Sequence, residues 1–315
     1  MRGPDPVRLA NLPTPLVLAE RLSEAIGAEV WLKRDDLTGI GLGGNKARSV
    51  EYHLGAARAE GSDVFVTGGG PRSNWVLTAA VAAAAQGLPC YLVLFGHPPP
   101  PGSSAVDLLD RLDQVRLVYT GDPVRASVDP MLDEVKERLE DQGRKPYVVG
   151  RGGAGPVGAL GYLAAVDEIE RQAHRVGFSP EAVWLSVGSC GTIAGLLAGY
   201  KRRRFSPVLM GASVHRPAEE CDERIEQISE AALDLIGEAH RYPVGCLVHD
   251  QLNPDPRQVE EAARLMAVTE GIFLDPEYGA TALADLIEKA GKTNWKLMFL
   301  VTGGLVNLFY GPSGS

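Results

Sequence analysis

From Val64 onward, short apolar runs alternate with longer stretches whose apolar positions recur at helical spacing. "VFVTGGG", "CYLVLFG", "VRLVYT" and "PYVVG" predict buried strands. Between them, "SNWVLTAAVAAAAQGL", "SAVDLLDRLD" and "MLDEVKERLEDQG" predict helices. A second run follows the loop "RGGAGPVGALGY". There "AVWLSVGS", "PVLMGASV" and "KLMFLVTGG" read as strands, and "YLAAVDEIERQAH", "GTIAGLLAGYKRR", "RQVEEAARLMAVTEG" and "ATALADLIEKA" as helices. Strands separated by helices are the signature of βαβ units in a mainly parallel sheet. Two such runs predict two α/β lobes, with a ligand where strand ends and glycine-rich loops meet. The proline cluster "HPPPPGSS" cannot be regular structure and reads as a surface loop.

The bulk numbers narrow the partners. The chain has 315 residues, 45% hydrophobic and 23% charged, enough for a large core without staples. Its net charge of −9 argues against nucleic acid or an anionic membrane as a main partner. The basic run Lys201 to Arg204 follows a helix-like stretch and is expected to cap it and face solvent. Cys90, Cys190, Cys221 and Cys246 are far apart and form no CxxC pair, so no zinc or redox motif is visible. They read as reduced thiols of a cytoplasmic protein. The first residues lack the apolar core of a signal peptide, and no segment has the apolar length of a membrane span.

Candidate chemistry begins at "GLGGNKARSVEY", where Lys46 follows a glycine-rich turn. A P-loop fails here, because Asn45 intervenes before the lysine and Ala47 replaces the hydroxyl residue. Gly39, Gly41 and Gly44 satisfy G-x-G-x-x-G, but the turn does not follow directly on a strand, so the dinucleotide reading is weak. Alone, Lys46 would read as an early residue of a solvated helix. "SVGSCGTIAGL" ends a strand, turns through small residues and opens a helix near Gly191. Its backbone N–H groups, with the Ser189 and Thr192 hydroxyls, make an anion site a better reading than a steric β–α turn. In "VTGGGPRSNWVL", Ser73 and Asn74 stand where an N-cap or a carboxylate site would. Thr302 ends a strand beside two glycines, and Tyr278 sits in "LDPEYGAT" before a helix.

In this order the five elements resemble the pyridoxal-phosphate enzymes of the tryptophan-synthase β-type fold, fold type II. The branch is that of the D-cysteine desulfhydrases and 1-aminocyclopropane-1-carboxylate deaminases. "LPTPL", "VWLKRDDLTG", "GGNKARSVEY", "GALGY", "SVGSCGT", "LDPEYG" and "VTGGL" carry the resemblance, from about Leu12 to Tyr310. It implies a two-lobed α/β fold, each lobe an open twisted mainly parallel sheet flanked by helices. Residues 1–47 and 161–315 would form a large cofactor domain and 48–160 a small one. The resemblance also implies roles. Lys46 would bind the cofactor aldehyde covalently, and the loop of Gly188, Ser189, Cys190, Gly191 and Thr192 would hold its phosphate. Asn74 and Thr302 would contact the pyridine ring. Ser73, Asn74 and Trp75 would bind the substrate carboxylate, and Tyr278 would approach the substrate. The cofactor would be pyridoxal 5'-phosphate with no metal, the partner a small amino acid, and the assembly a homodimer.

Some positions depart from that branch. Gly279 stands where the deaminase has a carboxylate, Thr302 where it has leucine, and Ser49 where a second lysine is usual. Arg72 replaces a neutral residue. "VHDQLNPDP" replaces the usual substrate segment, which puts Gln251 in place of a pocket tyrosine and leaves His249 and Asp250 without a role. The expected activity is α,β-elimination from an amino acid with a β-leaving group such as a thiol. The alternatives are ring opening of the cyclopropane amino acid, β-replacement, and a cofactor-binding protein that has lost catalysis.

Overall fold

A computed structural model describes residues 3–290 and 293–309; the polar tail at 311–315 lies outside them. In chain order the strands are β1 (Leu16–Leu18), β2 (Val30–Lys33), β3 (Val64–Gly69), β4 (Cys90–Leu94), β5 (Val115–Tyr119), β6 (Pro146–Val149), β7 (Ala182–Val187), β8 (Val208–Ser213), β9 (Cys246–Asp250) and β10 (Leu297–Leu300). The helices are α1 (Glu20–Ile26), α2 (Lys46–Glu60), α3 (Asn74–Ala85), α4 (Val128–Asp141), α5 (Pro156–Arg175), α6 (Gly191–Tyr200), α7 (Ala218–Ile236), α8 (Pro256–Glu270), α9 (Gly279–Ala290) and α10 (Val306–Phe309).

The strands form two sheets. One has the order β1-β2-β10-β7-β8-β9 and is parallel except for β1 at its edge. The other has the order β5-β4-β3-β6 and is parallel throughout. Helices cover both faces, so β3, β7 and β10 are buried along their whole length. That is why their sequences are continuous apolar runs rather than alternating ones. The chain passes through part of the six-stranded sheet, builds the four-stranded one, and returns.

Several segments differ from their sequence reading. Ala105–Arg111 is a 3₁₀ helix, not an α-helix. Val106, Leu109 and Leu112 face inward every three residues, which suits a three-residue turn, and a capping box of Ser104 and Asp107 fixes its start. Half of the expected glycine loop at 151–162 is helical, because Pro156 sits in the first turn of α5. Its glycines serve packing: a Cβ on Gly161 would lie 2.5 Å from the Arg48 carbonyl oxygen, so only glycine lets α5 approach α2. The segment at 246–250 is strand β9, and 218–236 is the amphipathic helix α7. The run from Lys201 is not a solvated face. Lys201 is buried and paired with Glu226, Arg202 pairs with Glu238, and Arg203 with Asp167 and Glu170.

Between α2, α5 and β2 lies a buried charge network. Arg48 donates from Nε to Asp35 Oδ2 at 2.7 Å and from Nη2 to Oδ1 at 2.9 Å. It also reaches both oxygens of Glu168, at 3.0 and 2.8 Å. Lys33 pairs with Glu168 and donates to the Thr14 carbonyl at 2.8 Å, and Tyr162 donates to Asp35. Burial pushes the Asp35 and Glu168 carboxyls up, but the Arg48 charge and hydrogen bonds outweigh it and hold both below their ordinary values. The network fixes the first turn of α2 against the large sheet, two residues beyond Lys46.

Candidate active site

A cavity of about 910 Å³ opens between the two sheets, at the C-terminal ends of β3, β7, β8 and β10. That is the edge at which parallel α/β sheets bind ligands. Lys46 lines it from the first residue of α2. Its turn is locked from below by a second glycine turn: Asn45 N–H donates to the Thr302 carbonyl at 3.0 Å, and a Cβ on Gly303 would lie 2.7 Å from the Gly44 Cα. The Lys46 Nζ donates to the Gly152 carbonyl and to Ser189 Oγ, each at 3.1 Å. Among the described residues no carboxylate pairs with it. Loss of water around the amine lowers its pKa to about 8, with only Cys190 opposing.

Across from the lysine is the loop between β7 and α6. Gly188, Ser189, Cys190 and Thr192 line the cavity, and Gly191 starts the helix. Cys190 is the one non-glycine among the described residues with positive φ, at 72°. A left-handed residue directly before a helix curves the chain into the concave N–H cradle that binds anions, and the first N–H groups of α6 have no partner within the helix. Thr192 Oγ1 accepts from Asn45 Nδ2 at 2.9 Å, which ties this loop to the lysine turn.

The remaining walls come from both lobes. Ser73 caps α3, its Oγ accepting from Val76 N–H, and Asn74 and Trp75 follow in the first turn; all three line the cavity. Trp75 is buried and donates to Thr67 Oγ1 at 2.8 Å. Thr302 Oγ1 lies 3.2 Å from Ser186 Oγ. Tyr278 enters from the loop before α9, with its hydroxyl 2.9 Å from His215 Nε2. Burial, then the charges of Glu277 and Asp275, push the Tyr278 phenol well above its ordinary value, so it is a proton donor rather than a phenolate.

Gln251 is not part of this site. Its amide donates to Asp285 Oδ1 at 3.0 Å, and His249 Nδ1 lies 2.9 Å from Oδ2 of the same carboxylate. Trp184 and Lys289 complete the set around Asp285. Asp250 accepts from Ala218 N–H at the start of α7, at 2.6 Å. The "VHDQ" segment therefore ties β9 to α9 and α7. It does not line the cavity, because the chain there continues the sheet instead of turning inward.

Of the other cavity residues, His215 and Arg125 carry no sequence signal. His215 and Glu277 flank Tyr278, and His215 first, then Arg125 and Arg72, lower the Glu277 pKa against burial. Phe95 and His97 show that the proline loop is a cavity wall as well as a surface loop. Asp275, buried beneath Tyr278, accepts from the Tyr278 and Gly279 N–H groups at 2.7 and 3.1 Å, and burial pushes its carboxyl up to about 7.

A two-lobed α/β scaffold with a low-pKa lysine facing a helix-start anion cradle defines an enzyme that holds a phosphorylated aldehyde cofactor. The family described as "Pyridoxal-phosphate dependent enzyme" matches residues 7–303, and the chain belongs to it. The chain is 34% identical to a protein of Pyrococcus furiosus provisionally named a 1-aminocyclopropane-1-carboxylate deaminase, over 96% of this chain and 93% of that one. It is also 34% identical to a D-cysteine desulfhydrase of Salmonella choleraesuis, over 96% and 95%. A solved structure described as an ACC deaminase homologue superposes with a TM-score of 0.87 at 33% identity, covering 97% of this chain and 93% of that one. Among the described residues no helix is long and apolar enough to cross a membrane.

Proposed function

We propose that this protein is a pyridoxal-phosphate-dependent lyase that eliminates a β-substituent, a thiol in the first instance, from a small amino acid to give a keto acid and ammonia. The observation that carries the reading is the Lys46 amine, about 8 in pKa and 3.1 Å from Ser189 Oγ, beside the α6 anion cradle. The donor set fits the cofactor: an amine partly deprotonated near neutral pH for its aldehyde, and a hydroxyl-bearing helix start for its phosphate. Lys46 would hold the aldehyde carbon and the 188–192 loop the phosphate, with Asn74 and Thr302 at the ring. Bound there, the cofactor supplies an electron sink for the bonding electrons released at Cα.

The chain's own groups do the rest. Ser73 and the first turn of α3 bind the substrate carboxylate through helix-start N–H groups. Lys46 takes the proton from Cα, which its lowered pKa allows at neutral pH. Tyr278, which burial keeps protonated at neutral pH, donates a proton to the departing group. The two lobes, divided at 1–47 with 161–315 and at 48–160, enclose the cleft from either side. We extend the reading to a homodimer, as the family resemblance implies, which light scattering of the purified protein tests, and to the cytoplasm, as its cysteines, read as reduced thiols, suggest.

The decisive experiment is turnover of a panel of β-substituted D- and L-amino acids by the cofactor-loaded protein, with keto acid and ammonia measured together. Elimination from a β-thio-substituted member is expected. Cofactor retention with no turnover across the panel would instead favour a binding protein.

A further inference from the structure

His215 follows β8 in a loop that faces Gly188, and it contacts both the Tyr278 and Glu277 side chains, which also meet each other. A single nitrogen, Nε2, lies 2.9 Å from the Tyr278 hydroxyl and 3.1 Å from Glu277 Oε1. The imidazole and phenol rings stand at 88° with centroids 5.4 Å apart, so the ring edge is aimed at the hydroxyl. A bare nitrogen would set its lone pair against a carboxylate oxygen at that distance. Nε2 therefore carries the hydrogen, donating to the carboxylate and to the phenol oxygen. With one lone pair of the Tyr278 oxygen engaged by that N–H, its own O–H is left to Glu277 or to the cavity.

We propose that His215 is a positioning residue for the reaction, fixing the Tyr278 hydroxyl as a proton donor and stabilising the oxyanion left when that proton is given up. The proposal rests on the lyase reading above for the reaction, but not for the hydrogen-bond assignment. In the step, the Tyr278 O–H bond breaks and an H–S bond forms on the departing thiolate. The negative charge moves to the phenol oxygen, where the Nε2–H already points, and Tyr278 regains a proton from solvent through the open cavity. The groups around His215 favour this assignment. Glu277 and Tyr278 face it from the loop before α9, with Asp275 buried beneath them. Arg216, beside it in its own loop, is held by Glu220 and donates to the Gly188 carbonyl at 2.7 Å. Burial pushes the Glu277 carboxyl up, but the His215 hydrogen bond and charge, and after them Arg125 and Arg72, hold it below its ordinary value. Sequence spacing could not reveal this, since the two loops lie more than sixty residues apart.

Two measurements test it. In cofactor-free protein labelled with ¹⁵N-histidine, His215 is expected with Nε2 protonated; a bare Nε2 would overturn the assignment whatever the enzyme does. On the best β-thio-substrate, His215→Phe should lower kcat up to roughly a hundredfold, the low end of what a positioned acid itself contributes. KM and cofactor content should change little. His215→Gln, whose amide can still donate, should recover most of the loss. The His215→Phe/Tyr278→Phe double variant should be no slower than Tyr278→Phe alone. Losses that multiply, or an unaffected kcat in His215→Phe, would overturn the proposal. If His215→Phe does not fold, His215→Gln and the ¹⁵N spectrum still decide. Absence of turnover in the unmodified protein would count against the lyase reading alone.

Discussion

Lys46 Nζ and Ser189 Oγ stand 3.1 Å apart, joining the first turn of α2 to the loop that precedes α6. The contact puts the amine beside the small-residue start of α6, and among the described residues its hydrogen-bond partners are neutral, Ser189 Oγ and the Gly152 carbonyl. Protein packed around the amine holds its pKa at about 8. At pH 7 that leaves roughly two- to three-hundredfold more free amine than an ordinary lysine has. Cofactor capture by cofactor-free protein should therefore accelerate with rising pH and level off above about 8. Stopped-flow absorbance measures this. Borohydride reduction and peptide mapping should place the cofactor on Lys46, and Lys46→Ala should lose the covalent link. A label on another lysine would remove Lys46 from the site.

Thr192 is tied to Asn45 by a 2.9 Å hydrogen bond, so its hydroxyl braces the lysine turn as well as facing the cavity. Thr192→Val keeps the shape and deletes the oxygen. Cofactor affinity should fall by roughly 1.5–3 kcal/mol, the worth of a hydrogen bond to a charged group. Equilibrium dialysis against pyridoxal phosphate measures it. Unchanged affinity would place the phosphate away from this loop.

Arg48 is a stability prediction with a functional edge. Arg48→Met would leave Asp35 and Glu168 buried without their main cation, which should cost about 3–5 kcal/mol. Both carboxyls lie below their ordinary pKa values, so this stabilisation is present above the unfolded pKa near 4 and is lost as pH falls through the folded value. The urea midpoint of the unmodified protein should thus drop in acid, and more steeply than that of Arg48→Met paired with Asp35→Asn. Parallel acid profiles would show that the network is not what titrates.

How much of this was legible beforehand depended on whether the information was local. Buried parallel strands announce themselves as apolar runs, and Lys46, Ser73, Tyr278 and Thr302 each sit next to a glycine turn or a helix start, features read within a few residues. These and the small-residue loop at 188–192 do converge on one cavity. What failed was register in space. Gln251 was expected in the pocket from its place in the chain order, but β9 continues the sheet and Asp285, buried on α9, takes its amide. His215 gave no sign, because its meaning comes from Tyr278 and Glu277 in a distant loop. The glycines of 151–162 read as a loop although Gly161 serves helix packing, since composition cannot tell freedom of φ from lack of a side chain.

The last prediction concerns which bond is broken, and it rests on Thr302, Ser186 and Gly279. Thr302 Oγ1 and Ser186 Oγ are 3.2 Å apart at the base of the cavity, and both are neutral hydroxyls. Gly279 brings no carboxylate; its N–H donates to Asp275, whose two oxygens are engaged by the Tyr278 loop. A charge-assisted hydrogen bond is about twice as strong as a neutral one, so hydroxyls at the ring should leave a weaker electron sink than a carboxylate would. Opening a cyclopropane amino acid breaks a carbon–carbon bond with no heteroatom to carry electrons away, and so demands a strong sink. Elimination of a thiolate demands less, because the departing sulfur takes the electrons once Lys46 has removed the Cα proton and Tyr278 can supply its own. Keto acid should therefore form from a β-thio-substituted amino acid. It should form from 1-aminocyclopropane-1-carboxylate at least roughly tenfold more slowly, a barrier difference of about 1.4 kcal/mol or more. Both substrates can be followed in one coupled dehydrogenase assay. Equal rates would mean that the hydroxyl pair does not limit the sink, and would move the protein to the ring-opening side of its family.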